Sequence, residues 1–306
     1  YKRNLTLAWP VMVGSLGHVM VGVADSVMVG HYLGAIPLAA VALANSVFHI
    51  PFVFAIGVAF GLTPLVANAD GEGNVTKASS LWKNAFYVNL LFGVLITLLM
   101  IGLKPILGMM DQDPEVVELA WPFFSIISLS MIPFLLFLNL KQFAEGLSDT
   151  LAATRLSLGA NVLNVVLNYA LIKGVWGFPE MGLNGAAVAT LISRFAMFFG
   201  LWIYVRFNHK FVKYWEERKS ATLHWAEIKG ILGIGVPSGL QYVFEVGAFA
   251  ICAILIGVIG ALPQAAHQVA ISLASISYMA ASGLSAAASI RVANQLGKRD
   301  YETLKL

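Results

Sequence analysis

Long apolar stretches alternate with short polar joints along the whole chain. Eight of the stretches reach about 20 residues or more, the length that an α-helix needs to cross the hydrocarbon core of a bilayer. They cover residues 6–32, 39–68, 82–103, 116–143, 152–172, 182–207, 228–258 and 265–293. The joints carry helix-breaking residues, such as DGEGN at 70–74, MDQDPE at 110–115, GFPEMG at 177–182 and GALP at 260–263. The pattern predicts an all-α polytopic membrane protein.

The composition agrees with the pattern and excludes several classes of protein. Of the 306 residues, 58% are hydrophobic and only 11% are charged, whereas a soluble globular domain has about 25% charged residues. The single cysteine, Cys252, excludes a disulfide framework and a Cys-based metal or redox site. The sequence contains no HExxH, GxGD or GxSxG motif, so nothing in it predicts an enzyme or a bound cofactor.

The basic residues predict the orientation of the chain in the membrane. Sixteen of the nineteen Lys and Arg residues lie before the first stretch, after the eighth, or at the joints that follow the second, fourth and sixth. Lys104 and Lys173 lie at the opposite joints, and Arg194 lies inside the sixth stretch. Because cytoplasmic loops are enriched in Lys and Arg, the N-terminus and the long joint after the sixth stretch are predicted to be cytoplasmic. The net charge of +3 is explained by this topology, and no nucleic-acid partner is expected.

An internal repeat relates the two ends of the chain. At an offset of 226 residues, 14 of the 38 positions between Gly34 and Gly71 are identical to those between Gly260 and Gly297. The repeating unit therefore has six spans, and since six is even, both units enter the membrane from the same side. We expect two six-helix bundles arranged as parallel repeats about a pseudo-twofold axis along the membrane normal.

The repeat also predicts how the chain is divided. Residues 1–207 would form an N-terminal six-helix lobe, residues 208–225 a cytoplasmic linker between lobes, and residues 226–306 the first two helices of the C-terminal lobe. The second bundle is therefore expected to be only partly present. We expect a chain truncated after the eighth of twelve spans.

Two carboxylates lie deep within the apolar stretches. Glu245 is 14 residues from Ile259, or about 21 Å along a helix, which places it near the bilayer centre. Asp25 is eight residues from Leu33, in the outer half of the membrane, and His18 shares its helix face. A carboxylate in the membrane is costly and usually functional. The alternatives are a Glu245 neutralised by a neighbouring helix and an Asp25 exposed to water at a helix end.

Other polar residues in the stretches allow two interpretations each. Asn161, Asn164 and Asn168 share one helix face, where they would either join helices or offer oxygens to a hard cation beside Asp25. Arg194 needs a partner, and the sequence favours backbone carbonyls or a side chain that reaches the membrane interface. His49 and His267 are interpreted as packing residues.

Several segments resemble the multidrug and toxic compound extrusion (MATE) transporter family, within it the NorM-like branch. They are WPVMVGSLGHVMVGVADSVMVGHYLGA in the first stretch, NVLNVVLNYALI in the fifth, MGLNGAAVATLISR entering the sixth, GVPSGLQYVFEVGAFA in the seventh and AHQVAISLASISYM in the eighth. The resemblance covers both ends of the chain. It implies a multidrug efflux antiporter that exports organic, often cationic compounds by alternating access, in exchange for Na⁺ or H⁺.

The resemblance also implies roles for individual residues. Glu245 matches a glutamate that the family uses for substrate and coupling ion, and Gln241 and Tyr242 are predicted to line the substrate site with it. Asp25 resembles the family's cation site and is the candidate Na⁺ ligand, with Asn161, Asn164 and Asn168 as candidate partners in cation coupling. Some branches of the family have an aspartate where Asn168 stands, so a proton relay through the fifth stretch is in doubt.

The expected partners are small amphipathic organic substrates and the lipid bilayer of the inner (plasma) membrane, with the protein acting as a monomer. A lipid-linked oligosaccharide flippase of the same superfamily is the alternative function. Such a flippase needs a cationic cavity for pyrophosphate, whereas the buried charges that can be placed deep within the stretches are two acids and one arginine. The sequence does not choose between Na⁺ and H⁺.

Overall fold

The computed structural model describes residues 2–103, 105, 113–259 and 261–301, and within them the chain is almost entirely α-helical. The helices of this described part are α1 (Lys2–Leu33), α2 (Ala35–Phe60), α3 (Leu62–Gly71), α4 (Val75–Gly102), α5 (Pro114–Leu129), α6 (Met131–Gly146), α7 (Leu151–Lys173), α8 (Gly182–Phe207), α9 (His209–Ser220), α10 (Trp225–Ile259) and α11 (Ala261–Lys298). The prediction of an all-α protein is confirmed.

Each predicted apolar stretch coincides with one helix or with two consecutive helices. Five helical segments of the described residues are long and apolar enough to cross a membrane: Ala35–Gly71, Val75–Gly102, Pro114–Gly146, Leu151–Lys173 and Gly182–Phe207. The first, seventh and eighth stretches lie on α1, α10 and α11, which contain 32, 35 and 38 residues. The lengths of the helices therefore agree with the sequence pattern.

Two of the spans are broken into a pair of helices, which the sequence pattern did not predict. α2 ends at Phe60, four residues before Pro64, and α5 ends at Leu129, four residues before Pro133. Because proline has no N–H group, neither carbonyl can accept the usual helical hydrogen bond from a residue four positions later. The helices of the second and fourth spans are therefore interrupted at Gly61 and at Ser130.

Capping residues fix several helix ends. The Asn74 side chain accepts a hydrogen bond of 2.9 Å from the Lys77 N–H, so α4 begins seven residues before the predicted stretch at 82. Gly174 adopts a left-handed conformation with φ 65° and ends α7.

The predicted linker at 208–225 contains the amphipathic helix α9. Asn208 caps it by accepting a hydrogen bond of 2.9 Å from the Lys210 N–H, and Phe211 and Tyr214 are buried. These two apolar positions, three residues apart, dock α9 against α4 and α8. The role of the segment as a link between lobes stays a prediction.

The two repeats meet along α2 and α10, and along α11 with α1 and α3. The helices approach closely because glycines lie at the contact. A Cβ atom added to Gly57 of α2 would overlap the backbone of Gly239 in α10. The packing of α2 on α10 therefore requires glycine at position 57.

Replacing Gly57 with Ala is expected to destabilise the full-length protein by roughly 1–3 kcal/mol, the usual cost of overpacking. Gly159 of α7 has nothing within 4 Å of an added Cβ, so Gly159→Ala is the matched control. Thermal unfolding should show a lower Tm for Gly57→Ala than for Gly159→Ala. Equal Tm values would contradict the close contact.

The ends of α3 and α11 contact each other in a pseudo-symmetric way. A Cβ atom on Gly71 would overlap the backbone of Asn294, and one on Gly297 would overlap the backbone of Asn68. The positions are related by the 226-residue offset of the repeat, since 71 corresponds to 297 and 68 to 294. The Asn294 side chain also donates a hydrogen bond of 3.3 Å to the Ala67 carbonyl. The repeat in the sequence is thus a repeat in the structure, with an approximate twofold relation between its copies.

Candidate functional site

A cavity of about 430 Å³ lies among the helices of residues 1–207. We call it the Asp25 cavity. It is lined by Val21, Gly22, Asp25, Val41, Asn45, Phe48, His49, Phe52, Phe123, Ile127, Phe134, Ala160, Asn161, Asn164, Thr190, Ser193, Arg194 and Met197. Its walls therefore combine phenylalanine rings with a small set of polar side chains, the usual composition of a small-molecule site.

Among the described residues, the hydrogen bonds of the Asp25 carboxylate come from uncharged groups. Asn168 Nδ2 donates to Asp25 Oδ1 at 2.5 Å, and Thr190 Oγ1 lies 3.4 Å from Oδ2. Asn168 Nδ2 also lies 3.1 Å from Asn164 Oδ1, and Asn164 Nδ2 donates to Thr190 Oγ1 at 3.3 Å. The structure thus brings Asp25, Asn164 and Asn168 together in one network.

Local sequence explains how the network is built. Asn164 and Asn168 are one turn apart on α7 and share a face. α8 packs closely on α7 because Gly185 lies against the backbone of Leu171, where a side chain would overlap the Leu171 carbonyl. This close packing brings Thr190 of α8 within reach of the two asparagines.

One oxygen of the network is an unused acceptor. Asn168 Oδ1 is buried and has no hydrogen-bond partner among the described residues. Buried polar atoms are normally paired, so this oxygen marks a place for a proton donor or a cation. Asn168 Nδ2 faces Asp25 Oδ1 and Asn164 Oδ1, so Oδ1 lies at the other corner of the same amide group.

Other predicted residues of the cation site are placed differently. Asn161 lines the Asp25 cavity, but within the described residues its side chain makes no hydrogen bond to Asp25. The side chain of His18 lies outside the described residues. No group of three or more His, Cys, Asp or Glu side chains in the described part is arranged to hold a metal ion. The roles of these residues in cation binding stay predictions.

Glu245 does not line the Asp25 cavity. It is half-buried on α10, where Tyr278 of α11 donates a hydrogen bond of 3.2 Å to Oε2. Gln241 is exposed, and Tyr242 lies beside Phe60 with 5.9 Å between the ring centroids. The two predicted acids therefore lie in separate surroundings.

Three features of the site were not predicted from the sequence. Thr190 completes the Asp25 network, Tyr278 bonds Glu245, and the Arg194 guanidinium lies among phenylalanine rings. The sequence spacing contained a signal for Thr190, because Thr190 is one turn from Arg194 on the same helix face. The internal repeat contained a signal for Tyr278, because position 278 corresponds at the 226-residue offset to Phe52, which lines the Asp25 cavity.

The profile of the family described as MatE matches residues 10–170 and 237–306. The chain belongs to the MatE family. It is 32% identical over 311 residues to the multidrug resistance protein NorM of Photobacterium profundum, covering 100% of this chain and 67% of NorM. It is 32% identical over 302 residues to the multidrug resistance protein MdtK of Yersinia pseudotuberculosis, covering 98% of this chain and 66% of MdtK.

Solved structures agree with this membership of MatE. The eukaryotic MATE transporter AtDTX14 has a TM-score of 0.82 at 25% identity, covering 97% of this chain and 65% of that one. A MOP superfamily transporter from Pyrococcus furiosus, described with a binding pocket of reverse polarity, has a TM-score of 0.84 at 23% identity, covering 99% of this chain and 66% of that one. The predicted fold, a multi-pass membrane protein built from helical bundle repeats, is confirmed. The chain spans about two thirds of the length of the relatives that it matches.

Proposed function

We propose that the full-length protein is a multidrug efflux antiporter that exports organic, often cationic, compounds in exchange for Na⁺ or H⁺. The observation that carries the proposal is the Asp25 carboxylate, which lines a cavity and, within the described residues, accepts hydrogen bonds from an amide and a hydroxyl. Among the described residues, no cation lies within ion-pair distance of this carboxylate, so it can still gain from direct contact with a cation that arrives from solution. The names of the NorM and MdtK relatives support export of drugs.

We assign the coupling ion to the Asp25 network. Asp25 would supply the charge, and Asn164, Asn168 and Thr190 would supply neutral oxygens. Either ion suits this arrangement, because Na⁺ uses all the oxygens and a proton needs only the carboxylate. Asn161 would contribute to the wall of the cavity.

We assign the organic substrate to Glu245 with Gln241 and Tyr242. Gln241 lies one turn from Glu245 on the same face of α10, so both side chains can contact one ligand. The carboxylate would attract a cationic head group, and the rings of Tyr242 and Phe60 offer flat apolar surface for its body.

The contact between the ends of α3 and α11 supports alternating access. It joins the two repeats on the side that the basic residues predict to be cytoplasmic. Asp70 strengthens the contact, since Oδ1 accepts from Tyr214 Oη at 2.9 Å and Oδ2 from Asn294 Nδ2 at 3.0 Å. Burial and the Asp70 carboxylate raise the pKa of the Tyr214 phenol, so it remains a donor at neutral pH. In the proposed cycle, the protein is open to the outside when the ends of α3 and α11 are in contact, and cation binding favours that state.

Export from cells tests the proposed function. Expression of the full-length protein in a host that lacks its own drug pumps should lower the steady-state accumulation of ethidium several-fold, as measured by fluorescence. The protein would act as a monomer in the plasma membrane, with its N-terminus in the cytoplasm. Unchanged accumulation, together with movement of lipid-linked sugars across vesicles, would favour the flippase alternative instead.

A further inference from the structure

The guanidinium of Arg194 lies inside a cage of aromatic rings in the wall of the Asp25 cavity. Its Cζ atom is 4.8 Å from the ring centroid of Phe134, 5.4 Å from that of Phe52 and 5.7 Å from that of Phe48. Nη1 donates a hydrogen bond of 2.7 Å to Ser130 Oγ. The rings come from α2 and α6, so three helices hold the charge in place.

Arg194 is held without a carboxylate in contact. Among the ion pairs of the described residues, none includes Arg194. Asp25 lines the same cavity and attracts the guanidinium electrostatically, but its hydrogen bonds are with Asn168 and Thr190. A buried guanidinium usually pairs with a carboxylate, and here the faces of the rings and one hydroxyl take that place.

An aromatic cage of this kind is the arrangement that recognises organic cations. In the Asp25 cavity, however, the cage is already filled by a side chain that is permanently charged. An organic cation that enters the cavity would find the ring faces taken. The charge of Arg194 opposes every cation, but a small ion that touches the Asp25 oxygens directly gains enough from that contact to bind. A small ion needs neither the cage nor the space that Arg194 occupies.

We propose that Arg194 is a built-in cation that excludes organic cations from the Asp25 cavity and thereby reserves Asp25 for the small coupling ion. The organic substrate is left with Glu245, outside this cavity. Arg194 is a specificity-determining residue in this assignment, which rests on the proposed antiport function. The separation keeps the exported compound and the coupling ion from competing for one carboxylate.

Binding of tetraphenylphosphonium to the purified full-length protein tests the inference. Equilibrium dialysis should show about one equivalent bound to the wild type and about two to Arg194→Met, since the uncharged side chain leaves the cage free. Asp25→Asn combined with Arg194→Met should remove the second site. Arg194→Lys keeps the charge and serves as the matched control, with one equivalent. Arg194→Gln is the second neutral variant, and its amide can still form a hydrogen bond with Ser130.

A measurement on the wild type alone guards against a misfolded variant. Dicyclohexylcarbodiimide modifies carboxyl groups in apolar surroundings, and peptide mass spectrometry reports the two sites separately. Tetraphenylphosphonium should protect Glu245 and leave the labelling of Asp25 unchanged. Protection of Asp25 by the organic cation, or a single equivalent bound to both neutral variants, would overturn the inference. A wild type that binds no tetraphenylphosphonium would instead count against the proposed antiport function.

Discussion

With Glu245 replaced by Gln, the full-length protein is expected to bind ethidium about 10- to 100-fold more weakly than the wild type does. A hydrogen bond or contact to a charged group contributes about 1.5–3 kcal/mol, and each 1.4 kcal/mol corresponds to a factor of ten in affinity. The amide keeps the shape of the side chain and accepts from Tyr278, so the fold should persist. Fluorescence titration of the purified protein measures the affinity.

Glu118→Gln is the matched control for this substitution. Glu118 is an exposed glutamate on α5, and the same change there should leave ethidium affinity unchanged. Tyr278→Phe should have a smaller effect than Glu245→Gln, because it removes a neutral hydroxyl and leaves the carboxylate. Wild-type affinity in Glu245→Gln would rule out Glu245 as the substrate site.

Replacing Asp25 with Asn is expected to abolish the dependence of export on the cation gradient while ethidium binding persists. An amide has no charge to balance Na⁺ and does not exchange a proton at neutral pH. Gradient-driven efflux should therefore fall at least about 10-fold, to the level of leakage. Each 1.4 kcal/mol of coupling free energy that is lost lowers the coupling ratio by a factor of ten. Ethidium efflux from proteoliposomes, under an imposed Na⁺ or pH gradient, measures it.

Asn161→Ala serves as the control for Asp25→Asn. Asn161 lines the same cavity but makes no hydrogen bond to Asp25 in the described structure, so its loss should change coupling only slightly. An equal loss of efflux in the two variants would contradict a specific role of the Asp25 carboxylate and would show that coupling depends on the cavity as a whole.

The helices and the repeat could be predicted because their signals are local. The length of an apolar stretch and a fixed offset between similar segments do not depend on how helices pack. The breaks after Phe60 and Leu129 also have a local cause, in Pro64 and Pro133, but apolar length alone does not reveal them. The helix at 209–220 was hidden by its many charges, although Phe211 and Tyr214 have helical spacing.

The candidate site could be predicted only in part. The shared helix face of Asn164 and Asn168 follows from their spacing, and the structure places that face against Asp25. Asn161 has the same spacing but no bond to Asp25, because contact also depends on how two helices cross. The cage of Arg194 joins residues that are far apart in sequence, since Ser130 alone is 64 positions away. Such contacts depend on packing between helices, which no periodicity encodes.

Gradient-driven transport of ethidium decides whether the protein is a cation-coupled antiporter. Proteoliposomes that contain the full-length protein would be loaded with ethidium and exposed to a Na⁺ gradient, to a pH gradient or to neither. Coupled antiport predicts efflux that requires at least one of the gradients and disappears in both Glu245→Gln and Asp25→Asn. Efflux at the same rate without a gradient, or at the wild-type rate in either variant, would contradict it.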